Sequence, residues 1–176
     1  MVKLKLIVCC DANYGIGKNN KLPWNIPKEM KIFKEKTIGN KNNCIIMGKN
    51  TFNSIPEKFK PLQQRHNCVL TSDRSSIFKD NCVTVLHHMI ELKEWIKNTN
   101  YDEYWVIGGK MLYNSIISNF FIDEIHISKL EKDYNCDCFF DISMLLNKSF
   151  KKINQIDYKI EEFTHMVFKN QNKDCP

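Results

Sequence analysis

Short, continuous apolar runs rich in β-branched residues alternate with helical patterns along most of this chain, and that alternation restricts the fold more than any other feature. The runs lie at Leu6 to Cys10, Cys44 to Met47, Cys68 to Leu70, Val83 to Leu86, Trp105 to Ile107 and Ile125 to Leu130. A run without polar alternation describes a strand buried on both faces, as in a parallel sheet. Helical patterns fill gaps between runs at Ile26 to Lys36, Thr51 to Ser54, Met89 to Asn98 and Met111 to Ser118. Together they predict an open α/β sheet. After Leu130 come two strand-like segments, Lys151 to Tyr158 and Glu161 to Lys169, the second alternating imperfectly at Phe163, Met166 and Phe168. These predict an antiparallel hairpin on the sheet edge. A chain of 176 residues can bury a core as one domain, here 1–169. Residues 170–176 read as a polar tail or boundary.

Other classes are excluded by composition. No apolar run reaches the roughly 18 residues of a membrane span, and the charge-interrupted N-terminus does not read as a signal peptide, so the expected location is cytoplasmic. The net charge of +6 is dispersed and forms no nucleic-acid arm. Cys9, Cys10, Cys44 and Cys68 sit in apolar runs, as buried free thiols do. Cys136-Asp137-Cys138 lacks the second cluster a zinc site needs, and no metal is expected.

In an open α/β sheet, ligands collect outside the carboxyl ends of the strands. Here those ends carry Gly48-Lys49-Asn50-Thr51, Thr71-Ser72-Asp73-Arg74 and Gly108-Gly109-Lys110. Any one of these is ordinary capping chemistry; three on one edge point to a phosphorylated ligand. Gly15-Ile16-Gly17-Lys18 fits neither the dinucleotide fingerprint nor the P-loop, and reads as a mobile loop.

Trp24-Asn25-Ile26-Pro27-Lys28-Glu29 predicts a helix start with Asn25 as N-cap. Ile26, Met30 and Phe33 are expected to face inward, and Glu29 falls on their side. A carboxylate in apolar surroundings is either paired with a nearby lysine or kept for ligand anchoring and acid/base work. One carboxylate can accept two parallel N–H bonds from a flat, nitrogen-rich heterocycle, with Phe33 packed on the ring. Arginine is rare here: Arg65 and Arg74 are two of 26 basic residues. The planar fork of Arg65 suits an anionic far end of an elongated ligand.

These residues closely resemble the dihydrofolate reductase family, from about Lys5 to Lys169. Residues 15–24 are similar to its mobile active-site loop, and residues 45–56 to its second strand and following helix. Residues 65–72 and 106–113 match two further signatures. The resemblance implies an α/β fold of an open, mostly parallel central sheet flanked by helices with a C-terminal antiparallel hairpin. It also implies NADPH-dependent reduction of 7,8-dihydrofolate to 5,6,7,8-tetrahydrofolate, with hydride passing from nicotinamide C4 to the pterin.

In that resemblance Glu29 is the active-site acid, supported by Trp24 and Ser128, and Leu22 belongs to the closing loop. Ile7, Val8 and Ile107 line the pterin end, with Tyr113 also near substrate. Phe33, Ile55 and Leu62 match contacts to the benzoyl ring, Ser54 falls among the substrate-binding positions, and Arg65 matches the arginine that binds the glutamate α-carboxylate. Cofactor neighbours are Cys9, Ile16, Gly17, Gly48, Lys49, Asn50, Thr51, Leu70, Thr71, Ser72, Arg74, Ile107, Gly108, Gly109, Lys110, Met111, Leu112 and Tyr113. Lys49, helped by Arg74, would read the ribose 2′-phosphate.

Cys9, Phe52, Ser128 and Met111 depart from the family's commoner residues, and none removes a group the reaction needs. The resemblance further implies competing antifolates, a role in one-carbon metabolism, and a monomer as an isolated domain. It leaves open a bifunctional chain joined to thymidylate synthase. Two rival readings are a same-fold pyrimidine reductase and a non-catalytic pterin or NADPH-binding module.

Overall fold

The computed structural model describes residues 3–75, 82–143 and 150–172. The expected apolar runs are strands: β1 (Leu4–Cys10), β3 (Cys44–Gly48), β4 (His66–Leu70), β5 (Val83–Leu86), β6 (Tyr104–Gly108) and β7 (Glu124–Leu130). They lie side by side in parallel, in the order β5-β4-β3-β6-β1-β7. The sheet is completed by β10 (Phe163–Asn170) and β9 (Phe150–Tyr158), an antiparallel hairpin whose inner strand pairs with β7. The imperfect alternation of β10 has a simple cause. Phe163, His165 and Val167 are buried on one face, while Met166 and Phe168 pack against the core on the other.

Helices α1 (Pro27–Ile38) and α2 (Lys49–Ser54) accompany one apolar layer, which includes Ile7, Ile45, Met47, Phe52, Val69 and Trp105. Helices α3 (Met89–Asn98) and α4 (Lys110–Asn119) bury Leu92, Ile96, Ile116 and Ile117 in the other, against Leu6, Val8, Ile46 and Val106. Successive residues of β1 therefore serve opposite cores, as the pleat requires. Among the described residues, no helix is long and apolar enough to cross a membrane.

Two expectations about α1 are corrected. Ile26, not Asn25, is the N-cap, in extended conformation and without a side-chain cap. Pro27 in the first turn has no N–H to satisfy, which removes part of the need for one. Met30 is exposed, and the inward residues are Glu29, Ile32 and Thr37, with Phe33 half-buried beside them. The phase shifts because Ile26 lies outside the helix, so spacings counted from it do not follow the helical period.

A two-stranded sheet not foreseen in the sequence pairs β2 (Gly15–Gly17) with β8 (Cys138–Phe139). Buried Asp11 accepts backbone N–H bonds from Gly15 (2.7 Å), Asn13 (2.9 Å) and Tyr134 (3.2 Å). Asp137 accepts from the Asn19 N–H at 2.8 Å. The Cys136-Asp137-Cys138 segment thus anchors the 15–20 loop. A Cβ at Gly15 would lie 2.3 Å from that of Cys136, so only glycine fits.

Candidate active site

Glu29 projects from the first turn of α1 and is 5% exposed. Burial pushes its carboxyl up to about 7, opposed by the neighbouring Ser128 hydroxyl. No lysine among the described residues pairs with it, which removes the ion-pair reading of this carboxylate. Trp24 meets the Cys9 sulfur through its side chain and packs edge-on against Tyr134 at 5.2 Å. Burial, with Glu29 nearby, pushes the Cys9 thiol well up, so this sulfur stays protonated.

From Glu29 an apolar wall runs along the α1 side of the sheet. Ile7, Phe33, Ile55, Leu62 and Ile107 share one cluster with Phe52. Arg65 stands at its end, 5.8 Å over the Phe33 ring. Its Nη1 donates to Thr37 Oγ1 at 2.6 Å and its Nε to the Gln63 carbonyl at 3.1 Å. Burial lowers its pKa to about 10, and no carboxylate among the described residues pairs with it. A cation held by neutral partners keeps its charge for something else.

Asn67, which sequence reasoning did not assign, fixes this end. Fully buried in β4, it accepts from the Leu62 N–H at 3.0 Å and donates to the Leu62 and Arg65 carbonyls at 2.9 and 3.0 Å. The signal was present: an amide inside an otherwise apolar run needs partners.

A second group gathers where β3 and β6 end. Gly108 has φ +112°, in the region that favours glycine, and a cis peptide joins it to Gly109. A Cβ on Gly108 would lie 3.2 Å from the Tyr113 ring, and one on Gly109 3.3 Å from Thr51 Oγ1. Tyr113 donates its hydroxyl to the Ile7 carbonyl at 2.7 Å, locking α4 to β1. Gly48 lies beside this pair, with Lys49 and Asn50 opening α2 and Lys110 opening α4.

Thr71 to Arg74 enter no helix, contrary to the pattern after β3 and β6. Asp73 and Ser75 close a local turn on Thr71 Oγ1 and Asp73 Oδ1. Lys49 is ion-paired with Asp73, and Arg74 Nη2 stands 3.4 Å from His88 Nε2. Ser72 is exposed.

Several sequence-selected side chains stand elsewhere. Val8 and Leu112 are buried in the α3/α4 core, and Ile16 and Leu70 pack against it, so Val8 can reach the Glu29 side only through its backbone. Ser54 is exposed and donates to the Thr51 carbonyl at 2.7 Å. Gly17 belongs to β2; Leu22 (53%) and Met111 (84%) are exposed. His126 and His165, buried behind Ser128, were missed because histidines inside strand patterns read as core.

A family model described as dihydrofolate reductase matches residues 3–173. A dihydrofolate reductase from Heliothis virescens is 37% identical over 147 residues, covering 79% of each chain. A bifunctional dihydrofolate reductase-thymidylate synthase from Daucus carota is 35% identical over 144 residues, 77% of this chain but 27% of the relative. In structure, a dihydrofolate reductase from Enterococcus faecalis complexed with NADP(H) and RAB-propyl superposes with a TM-score of 0.77 at 24% identity, covering 97% of both chains. Its likeness concerns the fold, whereas the family match and the Heliothis relative concern descent: the chain belongs to the dihydrofolate reductase family.

Proposed function

We propose that this chain reduces 7,8-dihydrofolate to 5,6,7,8-tetrahydrofolate. The observation that carries the reading is Glu29, a buried carboxyl with no cationic partner among the described residues, at the head of an apolar wall whose far end holds Arg65. That layout suits an elongated ligand with an amidine-like edge at one end and a carboxylate at the other.

As a carboxylate Glu29 accepts the paired N–H groups of the pterin, and its pKa near 7 lets it exchange a proton at neutral pH and so promote protonation of the ring nitrogen that must gain one. Ile7, Phe33, Ile55, Leu62 and Ile107 exclude water from the ring, and Leu22, exposed on the preceding loop, closes over it. Arg65 takes the glutamate carboxylate with the guanidinium N–H groups not held by Thr37 and Gln63.

The residues at the ends of β3 and β6 fit NADPH, which supplies the hydride when bound. Gly108 and Gly109 leave room that a Cβ on either would crowd toward Tyr113 or Thr51. The first turn of α4 there presents unpaired N–H groups, and Lys49 and Lys110 supply positive charge. Lys49 reads a 2′-phosphate by exchanging its Asp73 partner for it. On this reading residues 1–169 work as one domain, the product enters one-carbon metabolism and thymidylate synthesis, and antifolates compete at Glu29.

The test is loss of NADPH absorbance with dihydrofolate added or omitted, repeated with NADH and with Glu29→Ala. Oxidation that needs dihydrofolate, prefers NADPH and fails in the folded variant is expected. A folded protein that binds NADPH without oxidising it would favour a binding module instead.

A further inference from the structure

Behind Glu29 a row of polar side chains continues through the sheet, and the mechanism above uses only its first members. The pleat of β7 places Glu124, His126 and Ser128 on one face, and register brings His165 of β10 opposite Ser128. Ser128 Oγ lies 3.0 Å from His165 Nδ1, and His165 Nε2 lies 3.4 Å from His126 Nδ1. His126 Nε2 is 3.3 Å from Glu124 Oε2, which also meets Lys5 Nζ at 3.0 Å. Ser128, His126 and His165 are buried at 0%, 3% and 4% exposure. The row opens into a cavity of about 240 Å³ whose walls include Lys5, Glu35, Lys36, Lys41, Glu124 and His126.

Glu124 fixes the polarity of this row. His126, salt bridges to Lys5 and burial set its carboxyl at about 2, the cations outweighing desolvation, so it stays an acceptor. His126 Nε2 must then be a donor. With both rings neutral, His126 Nδ1 accepts from His165 Nε2, His165 Nδ1 accepts from Ser128, and the Ser128 oxygen, which neighbours Glu29, would accept from its protonated carboxyl. If Glu29 is ionised, Ser128 donates to it and every bond in the row reverses. His126 Nδ1 then becomes a donor while Nε2 must remain one, so the ring is an imidazolium. The two arrangements contain the same number of protons.

We propose that Ser128, His165 and His126 form a proton relay between Glu29 and the cavity, with Glu124 holding the His126 imidazolium. In the outward step the Glu29 O–H bond breaks and its proton bonds to Ser128 Oγ. The former Ser128 proton passes to His165 Nδ1, and the His165 Nε2 proton passes to His126 Nδ1. Three bonds to hydrogen break and three form, and no electron leaves any group. Glu29 ends as a carboxylate, His165 as the other neutral tautomer, and His126 as a cation against Glu124. The inward step is the reverse and recharges Glu29 after its proton has been used.

The charged groups facing the two rings are Lys36 from α1, Lys5 from β1 and Glu124 from β7, with Glu103 of β6 and Lys169 of β10 bound to that cluster. Burial, then His126 and Lys36, holds His165 down at about 4. It therefore passes a proton on rather than storing it. His126 is lowered on balance, by burial and by Lys36 and Lys5, but Glu124 raises it, so of the two rings it is the one with a counter-charge for a transient cation.

The relay rests on the reading of Glu29 as the substrate-facing acid, and the test separates the two. In protein labelled with ¹⁵N-histidine, the His165 and His126 ring nitrogens are followed from about pH 5 to about pH 9 in the wild type and in Glu29→Gln. As Glu29 loses its proton through the row, His165 should change from the Nε2–H to the Nδ1–H tautomer with the midpoint of the Glu29 carboxyl, and this change should be absent in Glu29→Gln. Rings that keep one tautomer throughout, or titrate identically in Glu29→Gln, overturn the relay. Turnover by Glu29→Gln independently tests the acid.

In a second arm, His165→Gln keeps hydrogen-bonding groups but cannot relay. The pH midpoint of single-turnover hydride transfer should move by about half a unit or more, roughly a threefold rate difference on the sloping limb. An unmoved midpoint in the folded variant overturns the proposal, and if the variant does not fold the ring spectra decide.

Discussion

Replacing Glu29 by Gln should make the protein more stable at alkaline pH, by an amount that the site itself sets. The carboxyl titrates at about 7 in the folded chain against 4.5 for an exposed glutamate, raised by burial and only partly restrained by Ser128. Between those two values the native state binds more protons than the unfolded state, so stability falls as pH rises and levels off above 7. The difference of about 2.5 units corresponds to about 3 kcal/mol of destabilisation above the upper pKa. A neutral amide of the same shape does not incur this loss. Urea unfolding of wild type and Glu29→Gln, with ΔG read at intervals from about pH 4.5 to about pH 8, gives the difference directly. Subtracting the curves removes the contribution of His165, whose pKa near 4 makes stability fall toward acid in the overlapping range. The difference should grow in favour of the variant up to about pH 7 and then stay constant. Parallel curves would show that Glu29 is not a desolvated acid in the folded protein, and would remove the physical basis for its role.

Arg65→Lys should weaken dihydrofolate binding by about tenfold or more, because a lysine cannot keep the Thr37 bond and present a planar fork to a carboxylate. A pterin lacking the glutamate tail should bind equally to both forms, which competition titration would establish. Gly15→Ala, whose Cβ meets that of Cys136 at 2.3 Å, should lower stability by about 1–3 kcal/mol and loosen the loop leading to Leu22, measured by denaturation and by protease sensitivity within 15–22. Lys49→Ala should reduce kcat/KM with NADPH by about tenfold and leave NADH use unchanged; equal losses would assign Lys49 to holding Asp73 alone.

The parts of this protein legible in its sequence are those governed by local pattern. Continuous runs such as Leu6 to Cys10 announced strands buried on both faces, and they form the parallel sheet, because burial of both faces leaves no room for polar alternation. The glycine pair at 108–109 was legible from its place at a strand end, and in the structure a Cβ at either position would crowd Tyr113 or Thr51. What escaped depends on partners distant in sequence. The inward face of α1 could not be phased without knowing that Ile26 lies outside the helix, and spacing counted from Ile26 put the exposed Met30 inward in place of Ile32. Asn67 matters only because the Leu62 and Arg65 backbone turns back onto it.

His165 is the clearest case. Its strand pattern predicts no more than a residue in an edge hairpin, and its chemistry arises from register, which sets Ser128 directly opposite, and from His126 two residues further along β7. A slip of one residue between β7 and β10 would turn His165 to the other face and disconnect Glu29 from the cavity. The antiparallel hairpin therefore does more than close the sheet: its pairing with β7 decides what stands behind the acid, and substitutions on β10 should act on the pH dependence of the site without touching substrate.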